Sequence, residues 1–228
     1  IMDYPALRAE QAALRERGVH RGIGIAAFVE MTMPSAATYG QGGASIAAQD
    51  GCTVRLTGTG AVHCAISVTE MGQGTATIVA QIVADAVGVP MDRVKVVLGD
   101  TELVPYGGGV WGSRGAGTGG EVALQAGRAL RRNLLDAAAH LLKAPLEGLD
   151  IAGGCVVDMR TGEAKLALEE LARAAFFRPD LFGRDMQPEL VATRHHAQKH
   201  FDGICTNGAQ ASWLEVDVDT GMVKLLRH

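Results

Sequence analysis

The chain has 228 residues, of which 47% are hydrophobic and 20% are charged, a composition typical of a globular protein with room for a buried core. Its formal net charge of −4, without a cluster of lysine and arginine, argues against nucleic acid as a main partner. The sequence has neither an apolar run of ~18 residues nor a signal peptide, so no membrane span is predicted and a cytoplasmic location is expected.

The first third of the chain combines one helix with a block of strands. Residues 5–17 are predicted as a polar helix that Pro5 begins and Gly18 ends. Asp50-Gly51 is a hairpin-type turn signal within the strand block. The runs predicted as strands of one small antiparallel sheet are 22–33, 44–48, 53–57 and 61–68.

The middle third changes period twice. Residues 75–87 carry an apolar stripe at helical spacing, which Gly88 ends, and residues 94–98 form a short β-branched strand. Residues 99–120 are then predicted as a long loop with nine glycines. A second amphipathic helix is predicted from about residue 121 to residue 143.

The last third contains hairpins and one short helix. The predicted elements are a hairpin of 151–158 with 163–168, a helix at 168–177, a loop-rich stretch at 178–208 and a hairpin of 209–218 with 222–228. The whole pattern predicts an α/β (α+β) fold with mixed, largely antiparallel sheets and packed helices. The predicted divisions are a linker helix at 1–20, a sheet with helices at 21–145, and a second α/β portion at 146–228 that is cut at its last hairpin.

Two glycine-broken segments are the candidates for function. The first loop, residues 70–74, lies where a strand meets a helix, and unpaired backbone N–H groups at a helix N-terminus can take an anion. Gln73 adds an amide that both donates and accepts. The alternative is a plain strand–turn–helix connection whose glycines supply positive φ. The residues of the first loop predicted to bind a ligand are Met71, Gly72, Gln73 and Gly74.

The second loop, residues 112–115, offers a hydroxyl, a guanidinium and backbone amides, which are donors suited to phosphate. Its alternative is a flexible surface loop, although a long structureless segment inside a domain is uncommon unless it is functional. We predict that both loops meet in space and grip one long, phosphate-bearing cofactor. The residues predicted to bind in the second loop are Gly112, Ser113, Arg114 and Gly115.

Other catalytic motifs are absent from the sequence. The glycines of the long loop do not follow a strand in dinucleotide-binding register, and neither a phosphate-binding P-loop nor a G-x-S-x-G elbow occurs. Glu30, Glu70 and Asp100 are interpreted as solvated or capping carboxylates rather than as acid–base groups. No residue of this chain is therefore assigned a catalytic role.

Metal ligation by protein side chains is not predicted either. His195, His196 and His200 suggest a site because positions i and i+4 share a helical face, but polar and basic residues surround them. They are interpreted as a surface segment. The four cysteines form no CxxC pair and are expected to be reduced and mostly buried.

Five segments occur in order along the chain: Arg21-Gly22-Ile23-Gly24, Thr69-Glu70-Met71-Gly72-Gln73-Gly74, Gly99-Asp100-Thr101, Trp111-Gly112-Ser113-Arg114 and Glu215-Val216-Asp217-Val218-Asp219-Thr220-Gly221. Together they resemble the molybdenum-cofactor-binding large subunit of the xanthine dehydrogenase, aldehyde oxidase and carbon monoxide dehydrogenase family. The resemblance spans essentially all 228 residues, which is more specific than any single motif. In that family both loops bind the molybdopterin, including its phosphate and dinucleotide end.

The resemblance also implies what lies outside this chain. The family subunit is several times longer, and its upstream GGFGG-type loop and downstream G-E-P glutamate, the general base, do not occur here. The chain therefore resembles an internal fragment that is inactive alone. The family hydroxylates aldehydes, N-heteroaromatics or related small substrates with water as oxygen donor.

The resemblance implies partners as well as a cofactor. These are the rest of the large subunit, together with iron–sulfur clusters and FAD on other domains or subunits. A cytosine dinucleotide form of the molybdopterin is the expectation for a bacterial source. The alternative to a hydroxylase portion is a non-catalytic interaction module that keeps the fold without the cofactor.

Overall fold

The structure, a computed structural model, describes residues 2–35, 43, 45, 47–199 and 204–228. Four α-helices lie in the described chain: α1 (Tyr4–Glu16), α2 (Thr75–Val87), α3 (Gly120–Leu142) and α4 (Leu168–Phe177). The first strands of the described part are β1 (His20–Met31), β2 (Gln49–Leu56), β3 (Val62–Ile66), β4 (Val94–Leu98) and β5 (Leu149–Ala152). The remaining strands are β6 (Cys155–Asp158), β7 (Ala164–Ala167), β8 (Val191–Ala197), β9 (Cys205–Val216) and β10 (Val223–Arg227).

The chain divides into two compact units. One unit joins the two ends of the chain, residues 1–31 and 205–228, and the other comprises residues 32–204. These boundaries differ from the predicted ones at residues 20 and 145, because β1 pairs along its whole length with β9 rather than with the strands that follow it.

The unit of chain ends is built on a three-stranded antiparallel sheet in the order β1–β9–β10. Helix α1 precedes it, and Asp3 caps that helix by accepting a hydrogen bond from the Ala6 N–H at 3.1 Å. The prediction that residues 22–33 belong to the same sheet as residues 53–68 is wrong. Strands that are consecutive in the sequence usually pair, but here β1 pairs along its whole length with β9, which lies far along the chain.

The larger unit is built on a four-stranded sheet in the order β4–β3–β2–β8. Strands β2 and β3 form the predicted hairpin, and β3 and β4 are parallel, joined through α2. The loop-rich prediction for residues 178–208 missed β8, which pairs antiparallel with β2. The predicted strand at 44–48 lies partly outside the described residues.

A second sheet of the larger unit follows α3 and has the antiparallel order β5–β6–β7. The predicted hairpin strand at 151–158 is in fact two strands, because Gly153 and Gly154 turn the chain at φ of 59° and 82°. The α/β fold with mixed, largely antiparallel sheets is confirmed. Of the seven strand pairings in the described chain, six are antiparallel and one is parallel.

The core lies between the four-stranded sheet and helices α2 and α3. Alternate residues of β2 and β3, among them Val54 and Ile66, are fully buried beneath the stripes of both helices. The two helices approach closely at Gly127, where an added Cβ would lie 2.6 Å from the Cβ of Ala86.

We expect Gly127→Ala to destabilise the protein. Alanine favours a helix by about 1 kcal/mol over glycine, but the Ala86 methyl cannot rotate away, and overpacking of this kind costs about 1–3 kcal/mol. The net expected loss in the free energy of unfolding, measured by urea titration, is about 1–2 kcal/mol. Gly120→Ala in the same helix is the control, because its Cβ would meet only the flexible end of Ile82, at 3.0 Å. Equal stability of the two variants would contradict the helix contact.

Candidate cofactor-binding site

The first loop connects β3 to α2, as predicted. Gly74 has φ of 84° and stands immediately before the first helical residue, Thr75. Gly72 also has positive φ, 100°, and an added Cβ at either glycine would meet nothing within 4 Å. The two glycines are therefore required by the turn itself and not by crowding.

The Glu70 side chain binds the backbone amides at the start of α2. Its carboxylate accepts hydrogen bonds from the N–H groups of Gly72 at 2.8 Å, Gly74 at 3.1 Å and Ala76 at 3.0 Å. The prediction that unpaired amides await an external anion is therefore wrong for these three groups, since an internal carboxylate already fills that role. The interpretation of Glu70 as a capping carboxylate is confirmed.

These bonds predict a pH-dependent stability. The amide of Ala76, followed by those of Gly72 and Gly74, lowers the pKa of the Glu70 carboxyl. A lowered pKa in the folded state means that the stabilisation is complete above the ordinary glutamate pKa of about 4.3 and is lost as the pH falls through the lower folded value. We expect Glu70→Gln to lower the melting temperature at neutral pH and to have no effect at the acidic end.

Thermal melts of both proteins across the acidic range check this expectation. Glu102→Gln is the control, because Glu102 is exposed in the loop that follows β4, and this variant should melt like the wild type at every pH. A Glu70→Gln deficit that stayed constant down to the lowest pH would rule out the carboxylate cap as its cause.

Gln73 closes the first loop with its side-chain amide. Its Oε1 accepts from the Met71 N–H at 2.7 Å, and its Nε2 donates to the Thr69 carbonyl at 3.3 Å and to the Thr75 hydroxyl at 2.9 Å. Despite these bonds the Gln73 side chain is exposed, so one face of its amide borders solvent.

The second loop is more ordered than the predicted structureless segment. A 3₁₀ turn at Trp111–Ser113 is followed by a π-helical turn at Gly115–Gly119 that runs directly into α3. Gly112 and Ser113 have φ of 65° and 53°. Ser113 thus holds a left-handed conformation that costs a non-glycine residue energy and that clusters at functional sites.

Arg114 lies inside the protein, not on the ligand side of the second loop. Its side chain is 1% exposed and forms a salt bridge with Asp50, which is 0% exposed. The guanidinium also donates to the Ala47 carbonyl at 2.9 Å and lies 4.9 Å from the ring centroid of Trp111. The sequence-based role of this guanidinium as a phosphate ligand is therefore corrected: its donors are committed to the protein interior.

Asp50 is a buried residue of the site whose role the sequence did not indicate. One carboxylate oxygen accepts from the Ser67 hydroxyl at 2.8 Å and the Gly108 N–H at 3.2 Å, and the other accepts from Arg114. Ser67 closely precedes the first loop, so this single buried carboxylate joins the approaches to both loops. The predicted turn at Asp50-Gly51 is wrong, because both residues lie within β2.

Glycines let the long segment before the second loop pass close to this network. A Cβ on Gly107 would lie 2.1 Å from the Ser67 hydroxyl oxygen, and one on Gly108 would lie 2.1 Å from the Ala47 carbonyl oxygen. Close approach of backbone explains two of the glycines that the sequence concentrates between residues 99 and 120.

The two loops meet along one open groove. The groove has a volume of about 450 Å³, and an added Cβ on Gly115 would lie 3.7 Å from the Thr75 hydroxyl oxygen, so the second loop lies against the start of α2. Of the eight predicted binding residues, four line it: Met71, Gln73, Ser113 and Gly115. The lining residues that the sequence did not single out are Thr75, Ile78, Val110 and Ala116.

The other predicted binding residues shape the groove without lining it. Gly72, Gly74 and Gly112 supply positive φ at the two bends, and Arg114 anchors the second loop from below. The groove is thus lined by three polar side chains, Gln73, Thr75 and Ser113, beside the apolar Ile78 and Val110. Apolar side chains combined with a few polar groups are typical of sites for small organic ligands.

The histidine segment forms no helix. His195 and His196 lie on β8 and point to opposite faces of the sheet, and His200 lies outside the described residues. Among the residues that the structure describes, no three histidine, cysteine or acidic side chains are grouped as a metal site.

The cysteines are free thiols, and Cys52 and Cys64 are buried with their sulfur atoms 3.5 Å apart. The hydrogen bond with Cys64, together with burial, raises the pKa of the Cys52 thiol well above its ordinary value. Cys155 is half-buried and Cys205 is exposed. In the described part of the chain no helix has the length and apolar character needed to cross a bilayer.

Comparison with known proteins identifies the family to which the chain belongs. The sequence matches the family described as molybdopterin cofactor-binding domain over residues 1–228. The chain belongs to that family. The predicted resemblance to the molybdenum-cofactor-binding subunits of the xanthine dehydrogenase group is confirmed.

Individual relatives are oxidoreductase subunits. The chain is 30% identical to the nicotine 6-hydroxylase large subunit of Paenarthrobacter nicotinovorans, over 99% of this chain and 27% of that protein. It is 30% identical to the carbon monoxide dehydrogenase large chain of Afipia carboxidovorans, over 98% of this chain and 28% of that protein. The chain therefore spans little more than a quarter of the curated relatives it matches.

The fold agrees with solved structures of the same group. Quinoline 2-oxidoreductase from Pseudomonas putida 86 superposes with a TM-score of 0.77 at 31% identity, covering 97% of this chain and 28% of that one. A Cu,Mo-containing carbon monoxide dehydrogenase also gives a TM-score of 0.77, at 30% identity over 98% of this chain.

Proposed function

We propose that this chain holds the molybdopterin cofactor of a molybdenum hydroxylase in the groove between its two loops. The observation that carries the proposal is the convergence of Gln73 and Ser113 on one groove, although they lie on separate bends of the chain. The family match supports the identity of the cofactor.

The groove fits part of such a cofactor. A volume of about 450 Å³ accommodates a nucleotide-sized group, the apolar Ile78 and Val110 suit a flat ring, and the Gln73 amide and Ser113 hydroxyl suit phosphate or base edges. Gly115 and Ala116 bring backbone to the same wall. The cytosine dinucleotide form of the cofactor is the one we propose, because its base and its phosphates match the apolar side chains and the polar groups that line this groove.

The role of these residues is to bind and orient the cofactor. When bound, the molybdenum cofactor supplies the redox chemistry of a hydroxylation that takes its oxygen from water. Arg114 and Asp50 hold the second loop against β2, and Glu70 holds the first loop at the start of α2. No catalytic residue is assigned to this chain, and we propose that it is inactive without the remainder of a large subunit.

The substrate class and the partners extend the same proposal. Relatives are named for nicotine, carbon monoxide and xanthine, so we propose an aldehyde, an N-heteroaromatic or a related small molecule as substrate. Iron–sulfur and FAD domains or subunits are the proposed electron acceptors, because several relatives are named as subunits of larger assemblies. The free thiols fit the cytoplasm as the proposed compartment.

One observation favours an alternative function. Glu70 and Asp50 fill donors that a phosphate would otherwise use, as in an interaction module that has lost its cofactor. Metal analysis together with pterin fluorescence on the assembled complex decides between the two. Stoichiometric molybdenum and pterin support the proposal, and a complex that assembles without either supports the interaction module.

A further inference from the structure

The outer face of the four-stranded sheet carries a row of basic side chains. Arg55 on β2 lies opposite His63 on β3, and His63 lies opposite Lys95 on β4. Residues at these positions point away from the helices, because their neighbours along each strand, such as Val54 and Cys64, are buried in the core. We call Arg55, His63 and Lys95 the basic row.

Among the residues that the structure describes, the basic row has no acidic partner. In β2, β3, β4 and β8, all of which the structure describes, no aspartate or glutamate stands at an outward position. Within the described chain neither Arg55 nor Lys95 forms a salt bridge with a carboxylate. This local excess of positive charge contrasts with the net charge of −4 of the whole sequence.

Within the row the positive charges disfavour one another. Arg55 donates a hydrogen bond of 3.5 Å to Nδ1 of His63, which requires the histidine to be neutral at that nitrogen. Desolvation, with Arg55 and Lys95 adding to it, lowers the pKa of His63. The two permanent cations, Arg55 and Lys95, thus lie on either side of a histidine whose charged form is disfavoured. A negatively charged group from outside the chain would relieve this unbalanced positive charge.

An apolar hollow adjoins the basic row. Leu103 is 62% exposed and helps to line a cavity of about 210 Å³ together with Arg55 and His63. Ala65 and Val97 complete its apolar wall. The long loop thus contacts this face at two places, Leu103 at the hollow and Pro105 over Gly51, where an added Cβ would be 2.6 Å from the proline Cβ. Arg55 and Lys95 remain exposed beside the hollow.

We propose that the basic row and the hollow dock an acidic segment of a partner polypeptide. Carboxylates of the partner pair with Arg55 and Lys95, and one apolar side chain enters the hollow beside Leu103. Charge complementarity selects the partner, and the hollow fixes its register. This surface is separate from the cofactor groove, so the inference does not depend on the proposed function.

The test uses the full chain and a defined probe. The probe is a synthetic peptide, blocked at both ends, in which glutamates flank one leucine, and its affinity is measured by titration calorimetry at low salt. We expect Arg55→Ser combined with Lys95→Ser to weaken binding roughly tenfold or more, because two charge-assisted contacts are lost. Leu103→Asp should weaken it comparably by placing a carboxylate in the hollow.

Matched controls separate docking from general attraction. Arg128→Ser combined with Arg132→Ser removes the same charge from exposed positions on α3 and should leave the affinity unchanged. Equal weakening by both double variants, binding of a lysine-flanked peptide with similar affinity, or no binding of the acidic peptide would each overturn the proposal. So would displacement of the peptide by equimolar inorganic phosphate, which would indicate a small-anion site.

Discussion

Replacing Arg114 by alanine is expected to destabilise the protein by about 3–5 kcal/mol, since it leaves the Asp50 carboxylate buried without its cationic partner. Both side chains are almost wholly inaccessible, 1% and 0% exposed, so water cannot compensate. Urea unfolding followed by circular dichroism measures the loss. Arg114→Lys should recover only part of it, because an ammonium group cannot reproduce the three directed donors of the guanidinium.

The control for this prediction is an exposed ion pair. Arg178 and Asp180 pair at 2.7 Å with 60% and 62% of their side chains exposed, so Arg178→Ala should leave the urea midpoint nearly unchanged. If Arg114→Ala also left the midpoint unchanged, the buried ion pair could not be what ties the second loop to β2.

Asp50→Asn combined with Arg114→Gln distinguishes charge from shape. Removing both charges while keeping polar groups of similar size avoids the isolated buried charge, so the double variant should be more stable than Arg114→Ala. A double variant as unstable as the single one would show that the guanidinium acts by packing against Trp111 and not through its charge.

Gln73→Glu is expected to lower cofactor content in the assembled enzyme by roughly tenfold or more. The new carboxylate keeps the acceptor for the Met71 N–H, but it removes the amide donors and places a negative charge in the lining of a groove proposed to hold phosphate. Molybdenum by mass spectrometry and pterin by fluorescence, each per mole of protein, give the readout. The unfolding midpoint of the same variant shows whether the loop survives the change.

Gln81→Glu provides the matched control. It makes the same substitution on the exposed side of α2, away from the groove, and should load cofactor like the wild type. Ser113→Ala removes a second polar side chain from the lining and should lower loading as well. Full loading of Gln73→Glu and Ser113→Ala would sink the proposal that the groove grips the cofactor.

Elements with strong local signals could be predicted from the sequence. Helix α2 and strand β4 begin and end where the apolar periodicity and the flanking glycine and proline place them. Strand β8 could not be predicted, since its exposed, polar sequence alternates weakly and it exists because the edge of β2 is available to it. The pairing of β1 with β9 likewise depends on a contact between distant parts of the chain.

The candidate site was predictable in its location but not in its chemistry. Glycines in two places indicated two bends, and the bends do meet. The orientation of the Arg114 side chain depends on Asp50, which is 64 positions away in the sequence. Because Asp50-Gly51 resembles a turn, the local pattern gives no sign of this pairing and assigns Arg114 to the ligand. Gly51 resembles a turn residue, yet it is required because Pro105 and His195 leave no room for a side chain.

The π-helical turn before α3 sets the orientation of Ser113. The Gly119 N–H donates to the Arg114 carbonyl five residues back, at 3.3 Å, where an α-helix would reach back four. Removing one residue from this turn would let the helix wind regularly and would rotate everything ahead of it by about 100°. Ser113 would then swing away from the bend formed by residues 70–74, so the proposed cofactor groove depends on the length of this short glycine-rich turn, independently of which small residues occupy it.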